Sequence, residues 1–270
     1  MTRHDIFYTL HQSGCFVMPN PWDKGSAKMM ASLGASALAT SSAAHAFTLG
    51  LPDMGYVTRE QAMDHAADMV AATPLPVNGD LENGYGEAPD TVAQTIRLAA
   101  EAGLSGCSIE DTTMDDRVTY YFELAVERVR AAAAAAKSLN RPFVLTARAD
   151  GVMLGAYDMD EAIRRCQAFE TAGADMVYVP IPPSIKDLVR LVKSVNIPVN
   201  GLAAGPYLKR TKADFAAAGI RRISLGSAIA RATHTTIKDS VSAMLDDGDF
   251  SQTKATFPGA KIDKMMKEFP

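Results

Sequence analysis

The stretch Asp80-Leu81-Glu82-Asn83-Gly84-Tyr85-Gly86 follows a short apolar run at 76–78 and precedes an amphipathic helix that begins near Pro89. Because side chains alternate along a strand, carboxylates at positions i and i+2 are expected to leave the strand end on the same side. The glycines behind them allow a tight turn and a close approach of the backbone to a ligand. The stretch therefore predicts one strand–turn–helix unit whose strand ends in two acids.

The same unit recurs along the chain, so that eight short apolar strands alternate with eight helices. Strands that are continuously apolar, rather than alternating, indicate a parallel sheet that is covered on its outer face. Glycines are expected to end four of the helices: Gly34, Gly103, Gly173 and Gly219. The strands are predicted at 15–20, 37–40, a segment ending at Asp80, 106–109, 143–147, 176–179, 197–200 and 222–225. The helices are predicted at 23–33, after a cap at Thr58, at 89–102, 120–138, 160–172 and 186–194, before Gly219, and after 226–227.

Eight such units in 270 residues predict a (β/α)₈ barrel, a fold that typically takes about 250 residues. A doubly wound open sheet is the alternative, but it does not need eight units. No linker or change in composition divides the sequence, so a single barrel domain over 1–270 is expected.

Composition excludes several classes of partner. The net charge of −4 is mild and no basic block is present, which argues against nucleic acid and anionic membrane surfaces. The three cysteines, Cys15, Cys107 and Cys166, have no metal-like spacing, and their odd number argues against a disulfide framework. The sequence has no signal-peptide pattern and no apolar run of bilayer length, so we expect a cytoplasmic protein.

A barrel carries its chemistry at the carboxyl ends of its strands, and here those ends form an acidic ring with one arginine. Carboxylates without nearby Cys or His suit Mg²⁺ or Mn²⁺ better than zinc. A single guanidinium beside such a site suits an anionic substrate that bridges the cation and the arginine. The polar strand-end residues are Asn20, Thr40, Ser41, Ser42, Asp80, Glu82, Glu110, Asp111, Arg148, Asp150, Asn200 and Ser227.

Structural roles remain open for several of these residues. Arg148 also fits a plain ion pair with Asp150, and the acids at 110–111 fit a solvated strand end. Ser227 fits a helix N-cap better than a phosphate ligand. The two histidines His45 and His234 also fit purely local roles.

Five motifs, taken together and in order, resemble the isocitrate lyase / phosphoenolpyruvate mutase superfamily over about residues 16–231. The resemblance implies a Mg²⁺- or Mn²⁺-dependent barrel enzyme that acts on small α-keto or 2-hydroxy carboxylic acids. It also implies a homotetramer whose C-terminal helix is swapped between subunits. The motifs are Thr40-Ser41-Ser42, Leu49-Gly50-Leu51-Pro52-Asp53, Asp80 to Gly86, Ile109-Glu110-Asp111 and Ala147-Arg148-Ala149-Asp150.

The resemblance implies a role for each matching acid. Asp80 is expected to bind the metal directly, while Asp53, Glu82 and Glu110 hold its waters. This agrees with the chemistry of Mg²⁺, which keeps several waters and takes few direct carboxylates.

The substrate side is implied in the same way. Arg148 is expected to bind a substrate carboxylate, and the backbone amides around Ser41 and Ser42 to receive the other carboxylate or the keto oxygen. Thr40 and Asn200 complete the expected substrate contacts.

Departures from the superfamily pattern restrict the reaction. The loop at 112–121 has no cysteine and no histidine where related lyases carry a catalytic Cys. Pro180 stands where those lyases have Glu and the mutases have His, and Ser227 stands where related oxaloacetate decarboxylases have His. Glu82 replaces an Asp found in many members. Cleavage of isocitrate or 2-methylisocitrate is therefore not expected, and smaller α-keto acids are.

What remains is a metal-stabilised enolate formed by breaking a C–C bond or, on a phosphonopyruvate-like substrate, a P–C bond. Arg148, Glu110 and Tyr85 are the expected catalytic residues, and the proton donor is left open between Tyr85, Asp116 and a metal-bound water. Two other classes also stay open: a phosphate-ester isomerase or aldolase that uses 226–227, and an α-keto acid binding protein without catalysis.

Overall fold

The computed structural model describes residues 1–254 and 256–269. Its eight strands form one sheet in which every neighbouring pair runs parallel. The strands are β1 (Phe16–Met18), β2 (Leu38–Ala39), β3 (Val77–Asp80), β4 (Gly106–Ile109), β5 (Val144–Arg148), β6 (Met176–Tyr178), β7 (Val199–Leu202) and β8 (Arg222–Ser224).

The sheet runs in the order β1-β8-β7-β6-β5-β4-β3-β2, which leaves one seam between β1 and β2. Two hydrogen bonds bridge this seam. The Ala39 N–H donates to Pro19 O (3.0 Å), and the Asn20 amide donates to Thr40 O (2.9 Å). The strands therefore curl into a nearly closed barrel, and the predicted (β/α)₈ fold is confirmed.

Twelve α-helices lie within the described residues. They are α1 (Arg3–Leu10), α2 (Lys24–Ser32), α3 (Ser42–Thr48), α4 (Arg59–Ala72), α5 (Pro89–Glu101), α6 (Phe122–Lys137), α7 (Gly151–Leu154), α8 (Met159–Ala172), α9 (Ile185–Ser194), α10 (Lys212–Ala217), α11 (Ala228–Asp246) and α12 (Gly259–Glu268).

The predicted helices and strands are present with small shifts at their ends. The largest strand shift is in β7, which lies two residues later than predicted. The four expected glycines stop helices in the left-handed conformation, with φ of +92° at Gly34, +90° at Gly103, +105° at Gly173 and +86° at Gly219. Glycine takes this conformation without steric cost, and so it ends a helix cleanly.

Four helices were not predicted. The segment with His45, expected to be a loop, is α3, and the Ser41 side chain caps it by accepting the Ala44 N–H (3.3 Å). The polar N-terminal segment is α1, whose capping box joins Thr2 and Asp5. The short α7 follows β5 directly, and α12 packs on α2.

The apolar core fills the space between the strands and the helices. One cluster, around Phe169, Leu191 and Phe215, covers the β5–β8 side, and another, around Ile96 and Leu104, covers the β2–β5 side. No helix within the described ranges is long and apolar enough to cross a membrane. The three cysteines are unpaired within those ranges.

Candidate active site

The Arg148 guanidinium stands at the centre of the polar barrel mouth. Its Nη1 lies 3.1 Å from Asp80 Oδ1 and 2.9 Å from Glu110 Oε1, and its Nη2 lies 3.0 Å from Asp150 Oδ2. The side chain is 12% exposed. The predicted convergence of these strand ends is therefore present, and the ion pair with Asp150 exists together with two further carboxylate contacts.

Asp80 ties the third strand to the segment after β2. Its Oδ2 accepts the Ser42 N–H (3.1 Å) and the Ser42 hydroxyl (2.9 Å), while its own N–H donates to Thr40 Oγ1 (2.8 Å). The Ser42 amide thus faces Asp80. A backbone amide that contacts a ligand bound at Asp80 is expected in this position. Thr40 supports the backbone of Asp80.

Glu82 is buried beside Asp80, but not by the strand alternation that the sequence suggested. β3 ends at Asp80, and Glu82 has left-handed backbone with φ +47°. Its Oε1 accepts the Gly55 N–H (3.2 Å), and its buried Oε2 has no hydrogen-bond partner among the described residues. Burial raises the pKa of Glu82 to about 7. A buried carboxylate oxygen without a hydrogen-bond partner costs folding free energy unless a cation or a water binds it.

The remaining predicted acids flank the same point. Burial and the charge of Asp80 raise the pKa of Asp53. Burial also raises the pKa of Glu110 well above its ordinary value, and its Oε2 accepts the Thr112 hydroxyl (3.2 Å).

This donor set fits a hard divalent cation. All candidate ligands are carboxylate oxygens, the type that Mg²⁺ and Mn²⁺ prefer. Among the residues described, no group of three or more His, Cys, Asp or Glu side chains forms a ready-made coordination shell. Mg²⁺ takes one or two protein carboxylates directly and keeps water in its other positions.

The loop at 112–121 forms a small hairpin against the acidic cluster. An antiparallel bridge joins Thr112 to Thr119, and the Thr113 N–H donates to Val118 O (2.8 Å). Met114 packs directly on Gly55, where an added Cβ would lie 2.9 Å from the Met114 Cβ. The hairpin therefore rests on the turn that holds Glu82.

A cavity of about 50 Å³ opens beside Arg148 on the inside of the barrel. A buried water needs roughly 10–15 Å³ measured in this way, so the space suits a small ligand. Its wall on the β3–β5 side includes Thr40, Asp80, Ser108 and Arg148. Its opposite wall includes Tyr178, Asn200, Ser224 and Arg222.

Sequence reasoning missed most of this second wall. Arg222 is 2% exposed, and its Nε donates to Asn200 Oδ1 (2.7 Å) and its Nη2 to Thr146 Oγ1 (3.0 Å). Burial lowers the pKa of Arg222 to about 9. Asn200, predicted to bind substrate, lines the cavity but uses its amide within this network, donating from Nδ2 to Ser224 Oγ (2.9 Å). The sequence signal that could have identified this wall was Arg222, a charged residue within the apolar strand β8.

The proton donors considered from the sequence lie elsewhere. Tyr85 has left-handed backbone with φ +61° and lines a neighbouring pocket with Ser41, Ser42 and His45. It does not line the 50 Å³ cavity. Asp116 is exposed on the hairpin.

Two buried arginines that the sequence did not single out position the site. Arg128 donates to Gly86 O (2.6 Å) and also binds Asn83 O and Glu87 O, which anchors the turn after Glu82. Arg165 pairs with Asp111 (2.9 Å). Asp111 also accepts the Asp150 N–H and the Tyr157 hydroxyl, so it serves as a support of the β5 end.

The histidines have local contacts. His45 stacks on His65 with ring centroids 3.8 Å apart, and burial lowers the pKa of His45 to about 4. His234 meets Phe47 edge-on at 5.4 Å. Ser227 occupies the N-cap position of α11, although its side chain makes no cap hydrogen bond within the described part of the chain.

Comparison with known proteins places this geometry in context. The model of the phosphoenolpyruvate phosphomutase family matches residues 7–245. A solved structure of a provisionally assigned lyase/mutase from Burkholderia cenocepacia J2315 is 42% identical, with a TM-score of 0.94 over 98% of this chain and 95% of that one.

Several curated relatives carry activity names. A protein of Corynebacterium glutamicum named Probable 2-methylisocitrate lyase 2 is 30% identical over 67% of this chain and 60% of its own length. The oxaloacetate decarboxylase of Chromohalobacter salexigens is 28% identical over 84% of this chain and 79% of its own length.

Proposed function

Because the chain belongs to the phosphoenolpyruvate phosphomutase family, we propose that it is a Mg²⁺-dependent carbon–carbon lyase. Its substrate is a small α-keto or 2-hydroxy carboxylic acid, with oxaloacetate as the first candidate, and the bond cleavage leaves a pyruvate-type enolate. The relatives named as a decarboxylase and as a lyase both support cleavage of a C–C bond.

One observation carries the proposal. Arg148 meets Asp80 and Glu110 within 3.1 Å at the edge of a small cavity. The arrangement puts a guanidinium fork, which suits a carboxylate, next to the acids that suit a cation.

Asp80 would hold the metal directly, with Asp53, Glu82 and Glu110 holding its waters. When bound, Mg²⁺ supplies Lewis-acid stabilisation of the negative charge that develops on the keto oxygen. Arg148 orients the substrate through a carboxylate, and the Ser42 N–H presents a fixed backbone dipole to the same region. Because these groups are already in place, they favour the charged transition state over the neutral ketone.

The size and chemistry of the site limit the substrate. A cavity of about 50 Å³ favours a small dicarboxylic acid over a bulky tricarboxylate. The hairpin at 112–121 offers no thiol or imidazole for a large leaving dianion. Oxaloacetate loses CO₂, which leaves without needing a proton, so its cleavage does not require a thiol or an imidazole to protonate the leaving group.

A turnover panel tests the proposal. Purified protein should convert at least one small α-keto or 2-hydroxy acid in the presence of Mg²⁺, and EDTA should stop the reaction. Phosphonopyruvate belongs in the panel because its turnover in preference to every carbon acid would replace C–C by P–C chemistry. Binding of oxalate or pyruvate without turnover of any acid would instead indicate a binding protein.

We also propose a homotetramer in which α11 is exchanged between subunits. The helix exposes an apolar stripe at Ile237, Val241 and Leu245, which are 58%, 44% and 79% exposed. Spacing of four residues puts the three on one face. Light scattering should give a tetramer mass, Val241→Glu should lower it, and Thr235→Glu on the other side of the helix should not. A monomer in the parent protein would reject the assembly.

The cytoplasmic location expected from the sequence stays a prediction.

A further inference from the structure

A row of four residues, one on each of the strands β5 to β8, starts at Arg148 and runs away from the acidic residues. Arg148, Tyr178, Asn200 and Arg222 are Cα partners on four successive strands, β5 to β8. All four line the cavity. The two arginines therefore flank a phenol and an amide that face the space where the substrate is proposed to bind.

The hydrogen bonds of this row have a defined direction. A guanidinium only donates, so the oxygen of the Asn200 amide must face Arg222 Nε (2.7 Å). The amide nitrogen then donates to Ser224 Oγ (2.9 Å). Ser224, which accepts this amide hydrogen, lines the same cavity as Tyr178. This arrangement leaves the phenol hydrogen of Tyr178 available to a ligand in the cavity.

Burial raises the pKa of Tyr178 above its usual range, so the phenol holds its proton before the reaction. The Arg148 guanidinium carbon lies 5.1 Å from the centre of the Tyr178 ring. Arg222 lines the same cavity, and its hydrogen-bond partners among the described residues are all neutral. The two guanidinium groups thus place positive charge beside the cavity, which lowers the cost of the phenolate after it has released its proton.

Other donors are less suitably placed. The hairpin has no cysteine or histidine, Asp116 is exposed, and Tyr85 lines a different pocket. Glu110 is already paired with Arg148 and Thr112.

From this arrangement we propose that Tyr178 is the proton donor of the reaction, a role that rests on the proposed lyase function. The C–C bond breaks and its electron pair forms the enolate. The Tyr178 O–H hydrogen then passes to the enolate carbon, its bonding pair stays on the phenol oxygen, and the phenolate regains a proton from water once the product leaves. In the reverse direction the same phenolate removes a proton from the methyl group of pyruvate.

Deuterium exchange into the methyl group of pyruvate, followed by proton NMR in D₂O with Mg²⁺, isolates this step. The parent protein should catalyse the exchange. Tyr178→Phe should slow it by about 100-fold or more, within the roughly 10²–10⁴-fold range of general acid–base catalysis. The matched control is Tyr207→Phe, which removes a buried hydroxyl that donates to Pro182 O (2.9 Å) away from the cavity. It should exchange at the parent rate.

Oxalate binding by calorimetry separates chemistry from folding. Tyr178→Phe should bind oxalate with Mg²⁺ within about tenfold of the parent, the scale of one neutral hydrogen bond. Ser224→Ala, which keeps the phenol but removes its neighbour, should lose less exchange activity than Tyr178→Phe.

The outcomes distinguish the two proposals. Normal exchange in Tyr178→Phe, or a loss confined to Tyr85→Phe, overturns the proton-donor role while the lyase function stands. A parent protein that neither exchanges pyruvate nor turns over any acid in the panel overturns the lyase function and the donor role with it.

Discussion

An acidic wall (Asp80, Glu82 and Glu110) and a basic wall (Tyr178, Asn200, Ser224 and Arg222) border one barrel mouth. Arg148 lies between them and pairs with three carboxylates, whereas the hydrogen-bond partners of Arg222 within the described residues are all neutral. The contrast separates two tasks. In the proposed reaction, the acidic wall would bind the cation that stabilises the keto oxygen, and the basic wall would hold the Tyr178 proton for the enolate carbon.

The largest expected effect comes from removing the centre of the acidic wall. Asp80→Ala should abolish Mg²⁺-dependent oxalate binding in calorimetry, because Asp80 is the proposed direct metal ligand and also accepts the Ser42 N–H. Asp90→Asn changes an exposed acid at the start of α5 and should bind as the parent does. Unchanged oxalate affinity in Asp80→Ala would remove Asp80 from the metal site.

The next effect concerns the substrate that the two walls accept. Without a thiol in the hairpin, isocitrate and 2-methylisocitrate should be turned over at least roughly 10²-fold more slowly than the best small keto acid, the lower end of what a general acid supplies. Side-by-side assays with Mg²⁺ measure the ratio. Isocitrate cleavage faster than turnover of every small acid would contradict it.

The residue between the walls is tested by a conservative change. Arg148→Lys keeps the charge but loses the planar fork that holds a carboxylate through two parallel bonds. Transition-state stabilisation should fall by at least about 2 kcal/mol, or roughly 30-fold in kcat/KM. Arg97→Lys, on the exposed face of α5, should have parent kinetics. Parent kinetics in Arg148→Lys itself would return Arg148 to a purely structural role.

The basic wall makes stability sensitive to acid. His11 lies beneath Arg222, with its Nε2 3.4 Å from Arg222 Nη1, and its Nδ1–H donates to Phe7 O (2.7 Å). Burial and the charge of Arg222 lower the pKa of His11 to about 3. The unfolded chain therefore takes up this proton first, so His11 contributes stability that is complete above about pH 6.5 and is lost as the pH falls.

Between pH 7 and pH 5 this loss should reach roughly 2 kcal/mol of unfolding free energy. Denaturant unfolding of His11→Gln should show a pH dependence smaller by that amount, whereas His234→Gln, at an exposed site on α11, should not. Equal pH dependence in His11→Gln and the parent would show that His11 is not held neutral.

How far the sequence predicted the molecule differs between the two walls. The acidic wall follows from local pattern, because Asp80 and Glu110 directly follow apolar strands whose carboxyl ends must meet in a barrel. Glu82 was placed there for a wrong reason, since its position depends on left-handed backbone at φ +47° rather than on strand alternation.

Of the basic wall, Asn200 was predicted, but the other residues could not be assigned to the site because their position depends on strand register. Tyr178 and Arg222 look like ordinary members of short strands, and only the pairing of β5 to β8 brings them next to Arg148. The helix α3 was also missed. It has only seven residues and a single serine cap, which gives too little hydrophobic periodicity to identify a helix.

A crystal structure of the protein with Mg²⁺ and oxalate tests the two-wall account most directly. The account predicts a cation at about 2.1 Å from a carboxylate oxygen of Asp80, with oxalate in the cavity between that cation and Tyr178. Oxalate bound outside the cavity, or a cation held without Asp80, Asp53, Glu82 and Glu110, would contradict it.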